Sequence, residues 1–423
     1  MREDFLHFLW KFKKFHTTNL KTDRGEPVQI IALGEHNLNA GPDFFNARLN
    51  IGHQLWAGNV EIHIKSSDWY LHQHEIDKTY DNVILHVVWE HDTPIFRKTN
   101  QPIPTLILKD YINPELISSY QHLFQEKKKW INCENDFQYV DDFLLQHWLE
   151  RLYFNRLEQK TKAILQLLEE SKNDWEAVLF KMLCKSFGSK INGDAFLTLA
   201  NSIDYSIIRK TKSNLQALEA LLLGQAGLLE KEPQTLYHEQ LRKDFQFLKQ
   251  KFTLNQDSVL PLQFFRLRPL NFPTIRLSQL AQLYHQEENL FSKLLECNTK
   301  ACFYDLLKST ASEFWNTHYT FFAVSKYSKK SVSHAFIDLI LINTIIPLIF
   351  CYQKKQGSHN SDNLVSLSKS IKAESNNIIS GFKHLNVTSK SALETQALIE
   401  LKTHYCDKNQ CLQCAIGNSL LSR

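Results

Sequence analysis

The sequence predicts an α+β protein in which an N-terminal mixed sheet is followed by a long all-helical region. Up to residue 111, short runs rich in Val, Ile, Leu and Phe alternate with Gly, Pro, Asn and Asp, a pattern typical of strands and turns. From about Phe137 onward the apolar residues recur at helical spacing instead. Glycine (12) and proline (11) are scarce for 423 residues, which favours long helices over a turn-rich sheet protein.

The first domain is predicted to have the order α-β-β-β-α-β. Apolar residues at helical spacing predict a first helix over about residues 2–16, and a second is expected between residues 67 and 79, where the strand pattern stops. The connection over residues 67–81 is long enough for a crossover to a parallel neighbour. Strands are predicted over residues 27–33, 43–51, 54–65, 82–89 and 103–108.

The remaining chain is predicted to be helical and to form further domains. Single cores stop growing at about 250–300 residues, so we expect three domains, over residues 1–111, 112–353 and 364–423, with the polar stretch 354–363 as a linker. Apolar stripes predict helices over about residues 149–168, 215–223, 236–251, 274–286, 331–352, 364–384 and 389–404.

Composition indicates a globular protein without a membrane span. Hydrophobic residues make up 43% and charged residues 22%, which argues against disorder. The N-terminus lacks the basic-then-apolar order of a secretory signal. The best transmembrane candidate, residues 335–352, contains Asp338, Asn343 and Pro347, so a buried core helix kinked at the proline is the better interpretation.

Charge and cysteine content give a localisation but no partner. The net charge of +4 neither requires nor forbids a polyanionic partner. Without a secretory signal, the eight cysteines are expected to be reduced thiols or metal ligands rather than disulfides. A cytoplasmic protein is therefore predicted, and no feature of the sequence indicates an oligomeric state.

The most informative segment is the strand over residues 54–65. Glu61, His63 and Lys65 alternate with apolar residues and therefore share one face of the strand. Asp43 begins the preceding strand, and a hairpin near Gly52 would bring it beside Glu61. Two carboxylates on neighbouring strands suit Mg²⁺ or Mn²⁺. The alternative is an edge strand whose three ionisable side chains form a solvated, mutually compensating face.

These residues predict a catalytic group. Asp43 and Glu61 would hold the ion, which lowers the pKa of a bound water, and His63 or Lys65 would position the water or stabilise charge. The arrangement resembles the PD-(D/E)XK nuclease-like superfamily, with Pro42-Asp43 as its first element and Glu61-Ile-His63 as its second. His63 stands where that superfamily has lysine, and Lys65 lies one side-chain step further along the same face.

The resemblance implies a divalent-metal-dependent phosphodiester hydrolase acting on nucleic acid. A non-catalytic nucleic-acid-binding or scaffold protein that kept the fold and lost the lysine is a second hypothesis. A third is a metal-dependent hydrolase of another substrate that uses the nearby histidines. His72, His74 and Asp77 fall within six residues, could approach the same strand face and would suit Zn²⁺ or Mn²⁺. Alternatively, they are surface residues of a helix start.

Two further groups of residues are candidate binding sites. Arg266, Arg268 and Arg276 surround a predicted helix start at Pro273, where they would bind a phosphate; alternatively they pair with acidic residues of the first domain. The C-terminal segment has the spacing C-x4-C-x2-C, which is typical of Zn²⁺ or iron–sulfur ligands. Its ligands would be Cys406, Cys411 and Cys414, with a fourth from among His404, Cys297, Cys302 and Cys133. Free thiols are the alternative.

Nearly the whole chain also resembles an uncharacterised bacterial family known only as a domain of unknown function. The resemblance is carried by residues 5–11 (FLHFLWK), 41–44 (GPDF), 56–63 (WAGNVEIH), 80–88 (YDNVILHVV) and 268–277 (RPLNFPTIRL). It implies family membership and brings no activity with it.

Overall fold

The computed structural model of the protein describes residues 1–124, 129–358 and 361–421, which form two compact units. The first unit comprises Met1–Trp148 and Lys402–Arg423, and the second comprises Leu149–Leu401. Residues 112–148 and the C-terminal segment therefore belong to the same unit as the sheet. The division into three domains stays a prediction, and residues 359 and 360 of its linker lie outside the described residues.

The first unit contains a mixed seven-stranded sheet in the order β1-β2-β4-β5-β6-β7, with β3 paired to β4. Pairing is antiparallel from β1 to β5 and parallel from β5 to β7, so the predicted crossover to a parallel neighbour is confirmed. The strands are β1 Leu20–Lys21, β2 Pro27–Ala32, β3 Glu35–His36, β4 Phe44–Ile51, β5 Gln54–Lys65, β6 Val83–Glu90 and β7 Thr105–Ile107.

Strand β5 lies inside the sheet, with β4 on one side and β6 on the other. Its consecutive residues from Val60 to His63 are all buried, which requires cover on both faces. The interpretation of this strand as a solvated edge is therefore wrong. Glu61 and His63 occupy an interior position, and Glu61 lies opposite His86 of β6 in the parallel register.

The first helix, α1 (Glu3–Lys11), packs against β5 through its apolar face. It is shorter than predicted because Lys13 adopts a left-handed conformation with φ of 51°, and the N–H groups of Lys13 and Lys14 bond back to Trp10 and Leu9. The predicted second helix is also shorter. It is a single turn, α2 (Asp68–Leu71), which ends where Gln73 adopts φ of 61°.

The second unit is formed mainly by helices, as the sequence predicts, and the α+β class is confirmed. A two-stranded hairpin, β8 (His318–Thr320) with β9 (Ala323–Val324), corrects the expectation of an all-helical region. The remaining helices of the chain are α3 Pro114–Leu123, α4 Asp142–Glu170, α5 Trp175–Asn201, α6 Tyr205–Thr211, α7 Leu215–Gln225, α8 Leu236–Phe252, α9 Pro273–Gln286, α10 Leu290–Glu296, α11 Lys300–Leu307, α12 His334–Ile340, α13 Ile346–Lys355, α14 Asp362–Ser370, α15 Asn377–His384, α16 Ala392–Glu400 and α17 Ala415–Leu421.

The helix predictions for the rest of the chain also needed correction, since helices α3, α5, α6, α10, α11 and α17 lie outside the predicted ranges. The stretch 364–384 forms two helices, α14 and α15, because residues 371–376 between them are extended or bent. Helix α5 was not predicted. It starts where the Asp174 carboxylate accepts the N–H groups of Glu176 and Ala177, and it is interrupted at Ser189, whose backbone is not helical.

One helical stretch of the described residues, His334–Lys355, is long and apolar enough to cross a membrane by length and composition. Of its apolar window, 72% is buried inside the protein, as the prediction of a core helix requires. A π-helical turn, Leu341–Ile345, directly precedes Pro347 and separates α12 from α13. The wider turn accommodates the proline, which has no N–H to donate and whose ring crowds the preceding turn.

The cysteines do not all have the predicted state. Cys297 and Cys302 form a disulfide, so the expectation of reduced thiols is wrong for this pair. The other cysteines, all within the described residues, have free thiols.

Packing of α7 against α8 generates a prediction about Gly224. A Cβ atom at this position would overlap the ring of Phe245, so we expect Gly224→Ala to lower the free energy of unfolding by about 1–3 kcal/mol, although alanine is the better helix former. Urea unfolding followed by circular dichroism would measure it. The control is Gly193→Ala in α5, whose Cβ would meet the Lys185 carbonyl oxygen at 3.3 Å. Equal stability of the two variants would contradict the packing argument.

Candidate metal centre

Three imidazoles and one carboxylate converge beside β5. The candidate ligand atoms of His63, His72 and His74 all lie within 4.8 Å of one another. His63 Nε2 is 3.1 Å from His72 Nδ1. Glu61 Oε1 is 3.5 Å from His63 Nε2 and 3.4 Å from His74 Nε2. Three imidazole rings from a strand and the connection that follows it therefore converge, with the Glu61 carboxylate beside two of them.

These separations suit one transition-metal ion. Zinc–nitrogen bonds of about 2.0–2.1 Å in a tetrahedron place neighbouring ligand atoms about 3.3–3.4 Å apart. The separation between His63 Nε2 and His72 Nδ1, 3.1 Å, is close to that value. The three histidines could therefore hold an ion and leave a fourth position for water.

The crossover connection presents its two histidines through local backbone structure. The Asp92 carboxylate accepts hydrogen bonds from Ser66 Oγ (2.9 Å) and from the N–H and Oγ of Ser67, which fixes the end of β5. Gln73, between the two histidines, has the left-handed conformation. The chain therefore reverses there, and the His74 N–H donates to the Trp69 carbonyl at 3.0 Å. Left-handed backbone at a non-glycine residue is uncommon and concentrates at functional sites.

A second imidazole orients His63. His63 Nδ1 lies 2.8 Å from Nε2 of His86, a fully buried residue on β6. When His63 donates its Nδ1–H to His86, the lone pair of its Nε2 atom is directed at the other candidate ligands. This is the usual arrangement around a metal-binding histidine, whose second nitrogen has a hydrogen-bond partner. His86 Nδ1 is itself buried without a hydrogen-bond partner in the part of the chain that the structure describes.

Aromatic rings hold His74 in place. The Tyr80 ring stacks on His74 with 3.7 Å between ring centroids, and Trp69 contacts His74 edge-on at 5.4 Å. Tyr80 and Trp69 are both buried, whereas His72 is exposed. The rings of Tyr80 and Trp69 therefore cover one side of the centre, and the exposed His72 leaves it accessible to solvent.

Asp43 lies next to Glu61, although hydrogen bonds already occupy one oxygen of each carboxylate. The Asp43 N–H donates to Glu61 Oε2 at 3.1 Å, and Asp43 Oδ2 accepts the Ile62 N–H at 2.9 Å. The same Oδ2 atom is 3.2 Å from Nε2 of His7 on α1. Asp43 thus fixes the orientation of Glu61, whose other oxygen faces the histidines.

Burial determines the charge of the centre. It raises the pKa of Glu61, and the neighbouring Asp43 raises it further. Burial, together with His74 and His72, lowers the pKa of His63 to about 3. For His7, burial lowers the pKa, but the hydrogen bond to Asp43 and the charge of that carboxylate outweigh it, so the pKa is raised. His63 is therefore neutral at physiological pH, the form that binds metal.

Two residues predicted to belong to the site, Lys65 and Asp77, do not contact the histidines or Glu61 in the contacts described above. Lys65 is exposed at the end of β5, where its N–H donates to Asp68 Oδ2. Asp77 is exposed, and its carboxylate accepts the N–H and Oγ1–H of Thr79, so it caps a 3₁₀ turn. His72 and His74, by contrast, approach His63 as expected.

The three arginines do not form one exposed group. Arg266 and Arg268 are exposed, whereas Arg276 is only 7% exposed. Its guanidinium donates to Asn271 Oδ1 (2.6 Å) and Gln279 Oε1 (3.0 Å) and lies 3.6 Å from the centroid of the Phe336 ring. Arg276 is therefore not available for a phosphate. Its partners are amides and a ring, not the acidic residues of the alternative interpretation.

Sequence reasoning missed His7 and His86 as members of the site. His86 interrupts an otherwise apolar run in β6, and a lone polar residue in a buried strand was the available signal. His7 stands between Leu6 and Phe8 in an amphipathic helix, where nothing in the spacing distinguishes it from a surface residue. Only the packing of α1 on β5 brings it to Asp43.

Comparison with known proteins identifies the family. The model of the family described as "Protein of unknown function (DUF2851)" matches residues 3–377. No curated protein and no solved structure matches the chain in these comparisons. The resemblance to PD-(D/E)XK nucleases stays a prediction. Because the match spans most of the chain, from α1 through the candidate metal centre to the start of α15, this protein belongs to the DUF2851 family.

Proposed function

We propose that the first unit is a metal-dependent hydrolase whose ion is held by His63, His72 and His74, with the Glu61 carboxylate beside it as the proton acceptor. The observation that carries the proposal is the convergence of the three imidazoles, whose ligand atoms all lie within 4.8 Å of one another. A buried glutamate and buried neutral imidazoles are costly in a small core unless a ligand compensates them. A bound ion would remove that cost.

The ligand set favours zinc or manganese over magnesium. Imidazole suits zinc and other transition metals, whereas magnesium prefers oxygen ligands in an octahedral arrangement. The magnesium site expected on Asp43 and Glu61 would compete with the contacts that Asp43 Oδ2 already makes with Ile62 and His7. Asp43 is better suited to orient Glu61 than to bind the ion directly.

The surrounding side chains support hydrolysis. An ion at this position would supply Lewis acidity and a water of lowered pKa. A bound cation would favour the ionised form of the neighbouring Glu61, so that Oε1, which faces the histidines, could accept a proton from a nucleophile held there. The exposed His72 marks the side from which substrate enters.

Nucleic acid is the first substrate class to test, and the expected reaction is hydrolysis of its phosphodiester bonds. It is supported by the pairing of Asp43 and Glu61 on neighbouring strands, as the nuclease-like resemblance implies. Arg266 and Arg268 of the second unit are exposed and stay candidates for phosphate binding within that unit. His63 argues against catalysis of the nuclease type, because it stands where the nuclease-like superfamily has lysine. Both of its ring nitrogens are hydrogen-bonded to other imidazoles. The same assays therefore also test the two other hypotheses, a non-catalytic nucleic-acid-binding or scaffold protein and a hydrolase of another substrate.

Metal binding gives the first prediction of this proposal. Purified protein loaded with Zn²⁺ and desalted should retain one ion at this centre, and His72→Ala should lose it because one of three imidazole ligands is removed. His72 is exposed, so the variant should fold normally. The matched control is His53→Ala, an exposed histidine of the same unit. Elemental analysis with equilibrium dialysis gives the readout.

Equal zinc content in His72→Ala, His53→Ala and the unmodified protein would show that the histidine group does not bind the ion. Any zinc held by the cysteines would remain in both variants, so the difference between them reports the histidine group alone.

Catalysis gives the second prediction. Glu61→Gln preserves side-chain shape but cannot accept a proton, so we expect hydrolysis to fall by about 10²–10⁴-fold. The substrates are bis(p-nitrophenyl) phosphate, a phosphate monoester and a carboxylic ester, assayed after chelation and after adding back Zn²⁺ or Mn²⁺. Glu90→Gln, an exposed glutamate on β6, is the control.

Turnover of the diester alone would support the nuclease-like class, and turnover of another substrate would support the third hypothesis. A zinc-loaded protein that hydrolyses none of them would make the centre structural and contradict the proposed function.

A further inference from the structure

A second group of metal-binding side chains lies in the first unit, apart from the histidines. Cys133 precedes α4, and Cys406, Cys411 and Cys414 belong to the C-terminal segment. The pKa of the Cys133 thiol is raised first by burial and then by the neighbouring sulfurs of Cys414 and Cys411. Burial and then the other three sulfurs raise the pKa of Cys406. All four sulfurs are therefore electrostatic neighbours.

Direct contacts join the two parts of the chain at this point. Asn132 donates from Nδ2 to Cys411 Sγ at 3.4 Å and to Asn409 Oδ1 at 3.1 Å. This places Cys133, the next residue, beside the loop that carries Cys411. Gly417 of α17 approaches the Cys411 carbonyl so closely that a Cβ atom would overlap it. The chain thus turns tightly around Cys411 and Cys414.

One of the sulfurs has an amide donor. Asn132 Nδ2 lies 3.4 Å from Cys411 Sγ. A thiol is a weak acceptor, so an amide directed at sulfur suits a thiolate that ligates metal. This observation is independent of the cysteine spacing.

Cys133 is the fourth ligand that the spacing alone left open. Cys297 and Cys302 are joined in a disulfide, so their sulfurs are not available as ligands. Cys133 follows Asn132, which contacts Cys411 Sγ, and it is only 8% exposed. Among the candidates, Cys133 therefore has the contact that places it beside the C-terminal cysteines.

The spacing of the cysteines along the chain favours an iron–sulfur cluster. The C-x4-C-x2-C spacing occurs in plant-type iron–sulfur proteins, which need a fourth ligand elsewhere in the chain. Cys133 would supply that fourth ligand.

We infer that Cys133, Cys406, Cys411 and Cys414 bind an iron–sulfur cluster that fastens the C-terminal segment to the first unit. Helix α17 packs against α3, and α1 packs against the Cys411–Gln413 turn, so the cluster lies where the end of the chain rejoins the sheet-containing unit. The inference does not rest on the proposed hydrolase.

The test uses the full chain, expressed with added iron and purified anaerobically. We expect the visible charge-transfer absorbance of an iron–sulfur cluster, with iron and acid-labile sulfide in stoichiometric amounts. Cys133→Ser and Cys406→Ser should each lose most of this absorbance and lower the melting temperature. Cys351→Ala, which removes a buried thiol from α13, should keep the cluster.

Sulfide distinguishes this site from the histidine centre, because a mononuclear ion brings none. Soluble wild-type protein with native circular dichroism but without iron and sulfide would overturn the inference. So would zinc that persists in His72→Ala and is lost in Cys133→Ser, or an unchanged cluster in Cys133→Ser. If Cys133→Ser does not fold, the wild-type iron and sulfide content and Cys406→Ser still decide the question.

Discussion

The burial of β5 between an antiparallel and a parallel neighbour is the constraint on which the first unit depends. An interior strand must have both faces covered, yet one face of this strand carries Glu61 and His63. Water cannot satisfy these groups, so other side chains must. The parallel pairing supplies His86 from β6, and the crossover that parallel pairing requires supplies His72 and His74.

This arrangement has an electrostatic consequence. Removing Glu61 and the imidazoles from water disfavours their charged forms, so burial raises the pKa of the carboxyl group and lowers that of His63. Neutral imidazoles are good ligands, and a carboxylate next to an ion regains the stabilisation that burial removes. The proposed ion would therefore offset the cost of burying this polar cluster.

Helix α1 has contacts with both candidate centres of the first unit. Its His7 contacts Asp43, which orients Glu61, and its N-terminal residues Arg2 and Asp4 lie within electrostatic range of Cys411. Burial of its apolar face against β5 fixes the helix in this position. The structural cluster we infer and the hydrolytic centre we propose therefore share one supporting helix, and loss of the cluster would be expected to loosen the support of Asp43.

The sequence by itself determined strands β2, β4, β5, β6 and β7, because their apolar runs end at turn residues. It did not indicate β1, β3, β8 and β9, which are too short to carry an apolar pattern. It also determined that Glu61 and His63 share a face, because side chains alternate along any strand. It also marked His72, His74 and the C-terminal cysteines by their spacing. Sequence spacing could not show that β5 is interior, that Asp77 caps a turn, that Arg276 is buried, or that His7, His86 and Cys133 join groups far away in the chain. Those outcomes were decided by tertiary structure, because strand order, helix packing and loop reversal bring together residues whose separation along the chain has no local pattern.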